Sequence, residues 1–91
     1  MVNMVKSAQF YARINPSNPN LWIIYSHNIT GKDPQVGEIR YESVVSPEGT
    51  PGYKWLAKMH FVTEEGDTPQ KALKALVERY NRIYQTNWSV Q

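Results

Sequence analysis

No cysteine occurs among the 91 residues, which removes disulfide scaffolds and thiolate metal sites together. Histidine is nearly as scarce. His27 and His60 stand alone, with no second histidine at a metal-ligand spacing such as His-x-x-x-His, so no metal site is expected. Long apolar runs are also missing. No stretch reaches the ~18 residues of a membrane-spanning helix, and Met1–Lys6 lacks the charged start and apolar core of a secretion signal. A cytoplasmic location without membrane association is the resulting expectation.

Charge of one sign is scarce as well: ten Lys and Arg face eight Asp and Glu, for a net charge of +2 and a pI near 9.0. A chain that neutralises many phosphates is usually more basic, so the total neither requires nor excludes nucleic acid. Catalytic signatures are absent too. No Gly-x-Ser-x-Gly element occurs, and Thr30-Gly31-Lys32 lacks the spaced glycines of a phosphate-binding loop. Glu64, Glu65 and Asp67 read as solvated turn residues ahead of a helix. No catalytic residue and no cofactor is therefore expected, and the chain does not read as an enzyme.

What is present begins with one amphipathic helix, Thr68 to Gln85. Thr68 can cap it, Pro69 suits the first helical position, and Ala72, Leu73, Leu76, Val77, Tyr80, Ile83 and Tyr84 recur at helical spacing. Lys71, Lys74, Glu78, Arg79, Arg82 and Gln85 fall on the opposite side. Four segments alternate with a period of two: Ser7–Ile14, Leu21–His27, Gly37–Val45 and Tyr53–Thr63. Turn chemistry separates them, with Pro16 and Pro19 in the first connection and Pro47, Gly49, Pro51 and Gly52 in the third. Connections this short favour antiparallel neighbours.

The expected fold is α+β, a single domain over residues 1–91. It consists of an N-terminal tail (1–6), a four-stranded antiparallel meander sheet (7–63), one C-terminal helix packed on one face (68–85) and a C-terminal tail (86–91). Alternation assigns Phe10, Ala12, Leu21, Ile23, Tyr25, Ile39, Tyr41, Tyr53, Trp55, Ala57, Met59 and Phe61 to the helix side. The opposite face then carries Tyr11, Arg13, Trp22, Ile24, Arg40, Val44, Lys54, Leu56, Lys58 and Val62. Four strands span about 19 Å, whereas a helix is about 10–12 Å across. Part of the helix side is left bare, for the tails or a second copy in a homodimer to cover.

Two functional expectations follow, both placed on the face away from the helix. Aromatic rings that stack on bases beside cations that meet phosphates suit single-stranded nucleic acid, with Tyr11 and Trp22 stacking and Arg13, Arg40, Lys54 and Lys58 neutralising charge. The alternative is a protein-binding adaptor or inhibitor, as small bacterial or phage accessory proteins often are. Trp22, Ile24, Val44 and Leu56 would then form an apolar contact strip.

Trp55-Leu56-Ala57-Lys58, followed by Gly66-Asp67-Thr68-Pro69 and Ala72-Leu73, resembles the strand, turn and helix of the N-terminal domain of the HicB antitoxin family. The resemblance implies that local fold alone. Met59-His60-Phe61-Val62-Thr63 replaces the acidic, proline-containing stretch expected there, and no DNA-binding segment follows the helix. In outline, a meander followed by a helix is also similar to Whirly-type and Pur-type single-strand-binding units.

Overall fold

The computed structural model describes residues 9–27 and 31–90. The expected tail 1–6, the start of the first expected strand, residues 28–30 of the following loop and Gln91 lie outside the described residues. The chain runs β1 (Gln9–Asn15), β2 (Asn18–Ser26), β3 (Gln35–Val45), β4 (Pro51–Met59), β5 (Val62–Gly66), α1 (Pro69–Tyr84) and β6 (Ser89–Val90). The class is α+β, and the sheet differs from a four-stranded meander. Among the described residues it has six strands in the order β5-β4-β3-β2-β1-β6, antiparallel from β5 to β1, with β6 parallel to β1 at one edge.

Both extra strands have local causes. The stretch Tyr53–Thr63 alternates without interruption, but the chain reverses at His60 and Phe61, so that Met59 pairs with Val62. His60 takes a φ of 56°, the left-handed value that the first position of a tight hairpin turn requires and that glycine usually supplies. The reversal exchanges two expected positions: Phe61 stands at the tip, 97% exposed, and Val62 turns inward, 3% exposed. β6 arises where a tail is expected, because Asn81 of α1 clasps the chain that follows the helix. Its amide nitrogen donates to the Trp88 carbonyl at 2.8 Å, and its oxygen accepts from the Trp88 N–H and the Thr86 hydroxyl, both at 2.9 Å.

The helix forms where its signals place it. Thr68, extended at φ −135° and ψ 160°, accepts from the Lys71 N–H at 3.1 Å, Pro69 opens the first turn, and Gln85 ends the helix at a left-handed φ of 55°. Its apolar side buries Ala72, Leu73, Leu76 and Val77 against Phe10, Ile24, Ile39, Ala57, Met59 and Val62. Each large side chain in that set contributes about 1.5–3 kcal/mol by leaving water. Gly66, the last residue of β5, lies so close to α1 that a Cβ there would meet the Ala72 nitrogen at 2.5 Å. The helix touches β1, β3, β4, β5 and β6, so the sheet curls around it.

Trp88 seals the far flank of the core. Its ring stacks on Phe10 with centroids 4.0 Å apart, and Tyr80 meets both rings edge-on. The C-terminal segment thus supplies part of the cover that one helix cannot give.

Candidate functional site: the two faces of the sheet

Strand pairing decides which face each candidate residue occupies. Ile14 lies opposite Trp22 and Trp22 opposite Ile39; Ala12 lies opposite Ile24. Residues directly opposite in a sheet share a face, so Trp22 and Ile24 sit on the helix side together with Ala12, Ile14 and Ile39. This corrects their expected placement. Ile24 is fully buried in the core and Trp22 packs against it, while Leu21, Ile23 and Tyr25 take the opposite face. The physical reason is that Leu21–Tyr25 is apolar throughout, so alternation alone does not say which set faces the core; the unbroken pairing of Ile14 to Ala12 with Trp22 to Ile24, and of Trp22 to Ile24 with Ile39 to Gly37, decides it.

The remaining candidates, Tyr11, Arg13, Arg40, Lys54, Leu56 and Lys58, do share the face away from the helix. Arg40 lies between Leu21 and Leu56, Glu42 opposite Lys54, and Glu38 opposite Lys58. Arg40 is bonded to Glu38 on its own strand, and that carboxylate raises the guanidinium pKa further above its usual range. Lys54 lies 3.6 Å from Glu65 and 3.8 Å from Asp67. Arg13 sits over the Tyr11 ring at 5.5 Å, a contact worth about 0.5–1 kcal/mol at an exposed position. Tyr11 stacks on Tyr25 with centroids 5.4 Å apart and donates its hydroxyl to Asp33. The hydrogen bond to Asp33, with some desolvation and the carboxylate's charge behind it, holds the phenol above its ordinary pKa of 10.0.

The cations of this face, Arg13, Arg40, Lys54 and Lys58, are therefore interleaved with Asp33, Glu38, Glu42, Glu65 and Asp67. Its own carboxylates offset its positive charge.

The helix side has the opposite character. α1 begins at the level of Gly66, which pairs with Trp55, and beyond that level β3 and β4 continue uncovered to Val45 and Pro51. There Tyr41 stacks on Tyr53 with centroids 5.3 Å apart and touches Trp55 at 5.0 Å. Tyr41 is 42% exposed, Tyr53 65% and Val45 71%. Ile14, also largely exposed, lies on the same side beside Trp22. None of the strand positions on this side is Lys or Arg. Sequence reasoning placed Tyr41 and Tyr53 inside; the signal available was the helix start at Pro69, which fixes how far along β4 the helix can reach.

Among the described residues no three His, Asp or Glu side chains gather into a metal-binding group, and no helix is long and apolar enough to cross a membrane. Comparison with known proteins finds no matching family, no similar curated protein and no similar solved structure.

Proposed function

We propose that this protein is a small non-enzymatic binding module whose ligand is another protein, held on the aromatic part of the helix-side sheet surface that α1 leaves bare. The observation that carries this reading is the separation of ring and charge. Tyr41, Tyr53, Trp55 and Val45 lie on a surface whose strand positions hold no cation, whereas Arg13, Arg40, Lys54 and Lys58 lie on the other surface among carboxylates. Single-strand recognition needs stacking rings and phosphate-binding cations side by side. Protein contact needs an apolar, aromatic patch with little charge at its centre.

Single-stranded nucleic acid keeps one specific support, the Tyr11–Tyr25 stack with Arg13 over it. The two readings separate in one experiment. Full-length protein is cross-linked in its source cells, the captured partner is purified, and binding is measured for wild type, the pair Tyr41→Asp with Tyr53→Asp, and the pair Arg13→Gln with Lys58→Gln. The protein reading expects the tyrosine pair to abolish binding, the cation pair to leave it unchanged, and mixed oligonucleotides to show no salt-sensitive binding. Oligonucleotide binding that weakens steeply with salt and is lost in the cation pair overturns it. Self-association lost in the tyrosine pair would make the ligand a second copy.

A further inference from the structure

For the bare aromatic surface we infer the chemistry of the occupant: a basic segment of the partner protein, with an arginine or lysine laid on the exposed rings and further cations against the carboxylates around them. This rests on the protein reading above and deepens it.

The surface belongs to an arm that stands clear of the rest of the sheet. β2 pairs with β3 no further than Arg40, and β5 pairs with β4 no further than Trp55. Glu42 to Lys54 therefore pair only with one another among the described residues. A two-stranded ribbon is marginal on its own, so the arm gains from being covered.

Charge selects what covers it. Over residues 41–54 and 65–71, the arm and the corner where β5 passes into α1, Glu42, Glu48, Glu65 and Asp67 stand against Lys54 and Lys71, whereas in the rest of the chain eight Lys and Arg stand against four Asp and Glu. The end with the bare rings is the acidic end of a basic chain. Lys54 is already held between two carboxylates, Glu65 at 3.6 Å and Asp67 at 3.8 Å. Glu42 and Glu48 are exposed and in no ion pair among the described residues.

The rings themselves favour a cation. An aromatic face attracts one, and the chain uses that contact where Arg13 lies over Tyr11. Among the described residues no cation lies over Tyr41, Tyr53 or Trp55, and Tyr53 is the most open of the three. A hollow of about 380 Å³ joins rings and carboxylates across the free edge of β4. Val45, Pro51 and Tyr53 line it from the helix side, and its only charged residues, Lys54 and Glu65, line it from the opposite face. A basic segment crossing this edge reaches both at once.

The test is selection of a random displayed-peptide library on the full-length chain, with counter-selection on Tyr41→Ser with Tyr53→Ser, followed by fluorescence anisotropy with the best synthetic peptide. The expected peptides carry net positive charge with an arginine or lysine at a fixed position, and glutamine at that position should weaken binding roughly two- to fivefold. Glu48→Gln with Asp67→Asn, both exposed changes, should weaken the peptide about threefold and flatten its salt dependence, while Arg13→Gln with Lys58→Gln binds it normally. Neutral or acidic consensus peptides, no enrichment at all, or equal binding by the carboxylate pair overturns the inference. If the partner captured from source cells is lost in Tyr41→Asp with Tyr53→Asp and yet no basic peptide is selected, this inference alone fails; if that partner binds the tyrosine pair normally, the proposed surface falls with it. Self-association that disappears in the carboxylate pair would make a second copy the occupant, and the assignment to a partner protein fails.

Discussion

Replacing Gly66 by alanine adds a single methyl group at the tightest joint in the fold. An ideal Cβ there would lie 2.5 Å from the Ala72 nitrogen, 2.8 Å from the Lys71 carbonyl carbon and 2.9 Å from the Ala72 Cα, against an ordinary contact of at least 3.4 Å. The shortfall to the nitrogen is 3.4 − 2.5 = 0.9 Å. All three neighbours are helix backbone, so no flexible side chain can swing aside. The first turn of α1 has to lift from β5, taking with it Ala72 and Leu73, which are 0% and 1% exposed.

Overpacking of this kind costs about 1–3 kcal/mol. The lower entropy of the unfolded chain returns about 0.4–1 kcal/mol, so a net loss of about 1–2 kcal/mol is expected. Gly52 is the internal control, because a Cβ there meets nothing within 4 Å and its φ is ordinary; Gly52→Ala should be neutral or slightly stabilising. Urea unfolding followed by tryptophan fluorescence measures both, with the midpoint changing and the slope unchanged. For a chain of this length the loss corresponds to roughly 4–8 °C in Tm per kcal/mol. A Gly66→Ala midpoint equal to or above that of Gly52→Ala would refute the close seating of α1 on β5.

Three further outcomes follow from the same structure. Asn81→Ala removes three hydrogen bonds to residues 86 and 88; it should cost about 1–3 kcal/mol and speed amide exchange at Val90 well before it affects Leu73, and uniform exchange would reject the clasp. Tyr11 ionises above 10.0 because Asp33 faces it, so the folded state holds that proton more tightly than the unfolded chain. Its contribution is complete below pH 10.0 and is lost as pH rises through the folded value; Tyr11→Phe should flatten that alkaline fall in stability, and an unchanged fall would count against the contact. At the β4–β5 hairpin, Phe61→Ser should change stability by no more than about 0.5 kcal/mol while Val62→Ser costs about 2 kcal/mol or more by placing a hydroxyl in the core. The reverse order in thermal melts would mean that β4 runs straight through.

The helix was legible in the sequence because several independent signals sit at one place: a capping Thr68, Pro69 at the first turn, and apolar residues at helical spacing. The β4–β5 reversal was not, for a definite reason. Tight hairpins are normally announced by glycine or Asn-Gly, and here His60 takes the left-handed φ instead, leaving an alternating stretch with no visible break. β6 was hidden differently, since two residues carry no periodicity. What creates it is a side chain, Asn81, whose role depends on residues 86 to 88 folding back against it.

β2 shows how such a gap reaches the functional site. Leu21 to Tyr25 are all apolar, so the segment has no polar residue to say which set faces the core. Its parity had to come from pairing, with Ala12 to Ile14 on one side and Gly37 to Ile39 on the other. A slip of one residue moves every side chain to the other face, and here it carried Trp22 and Ile24 from a supposed ligand surface into and against the core. With Trp22 goes one of the two rings on which single-strand stacking rested. Tyr11 remains, but its hydroxyl is held by Asp33 and its ring is occupied by Arg13 and Tyr25. The exposed aromatic area of the sheet then lies at Tyr41 and Tyr53, on the side where the strands offer no cation for a phosphate. The physics that corrects one strand's parity is therefore also the ground for proposing a protein ligand rather than a nucleic-acid one.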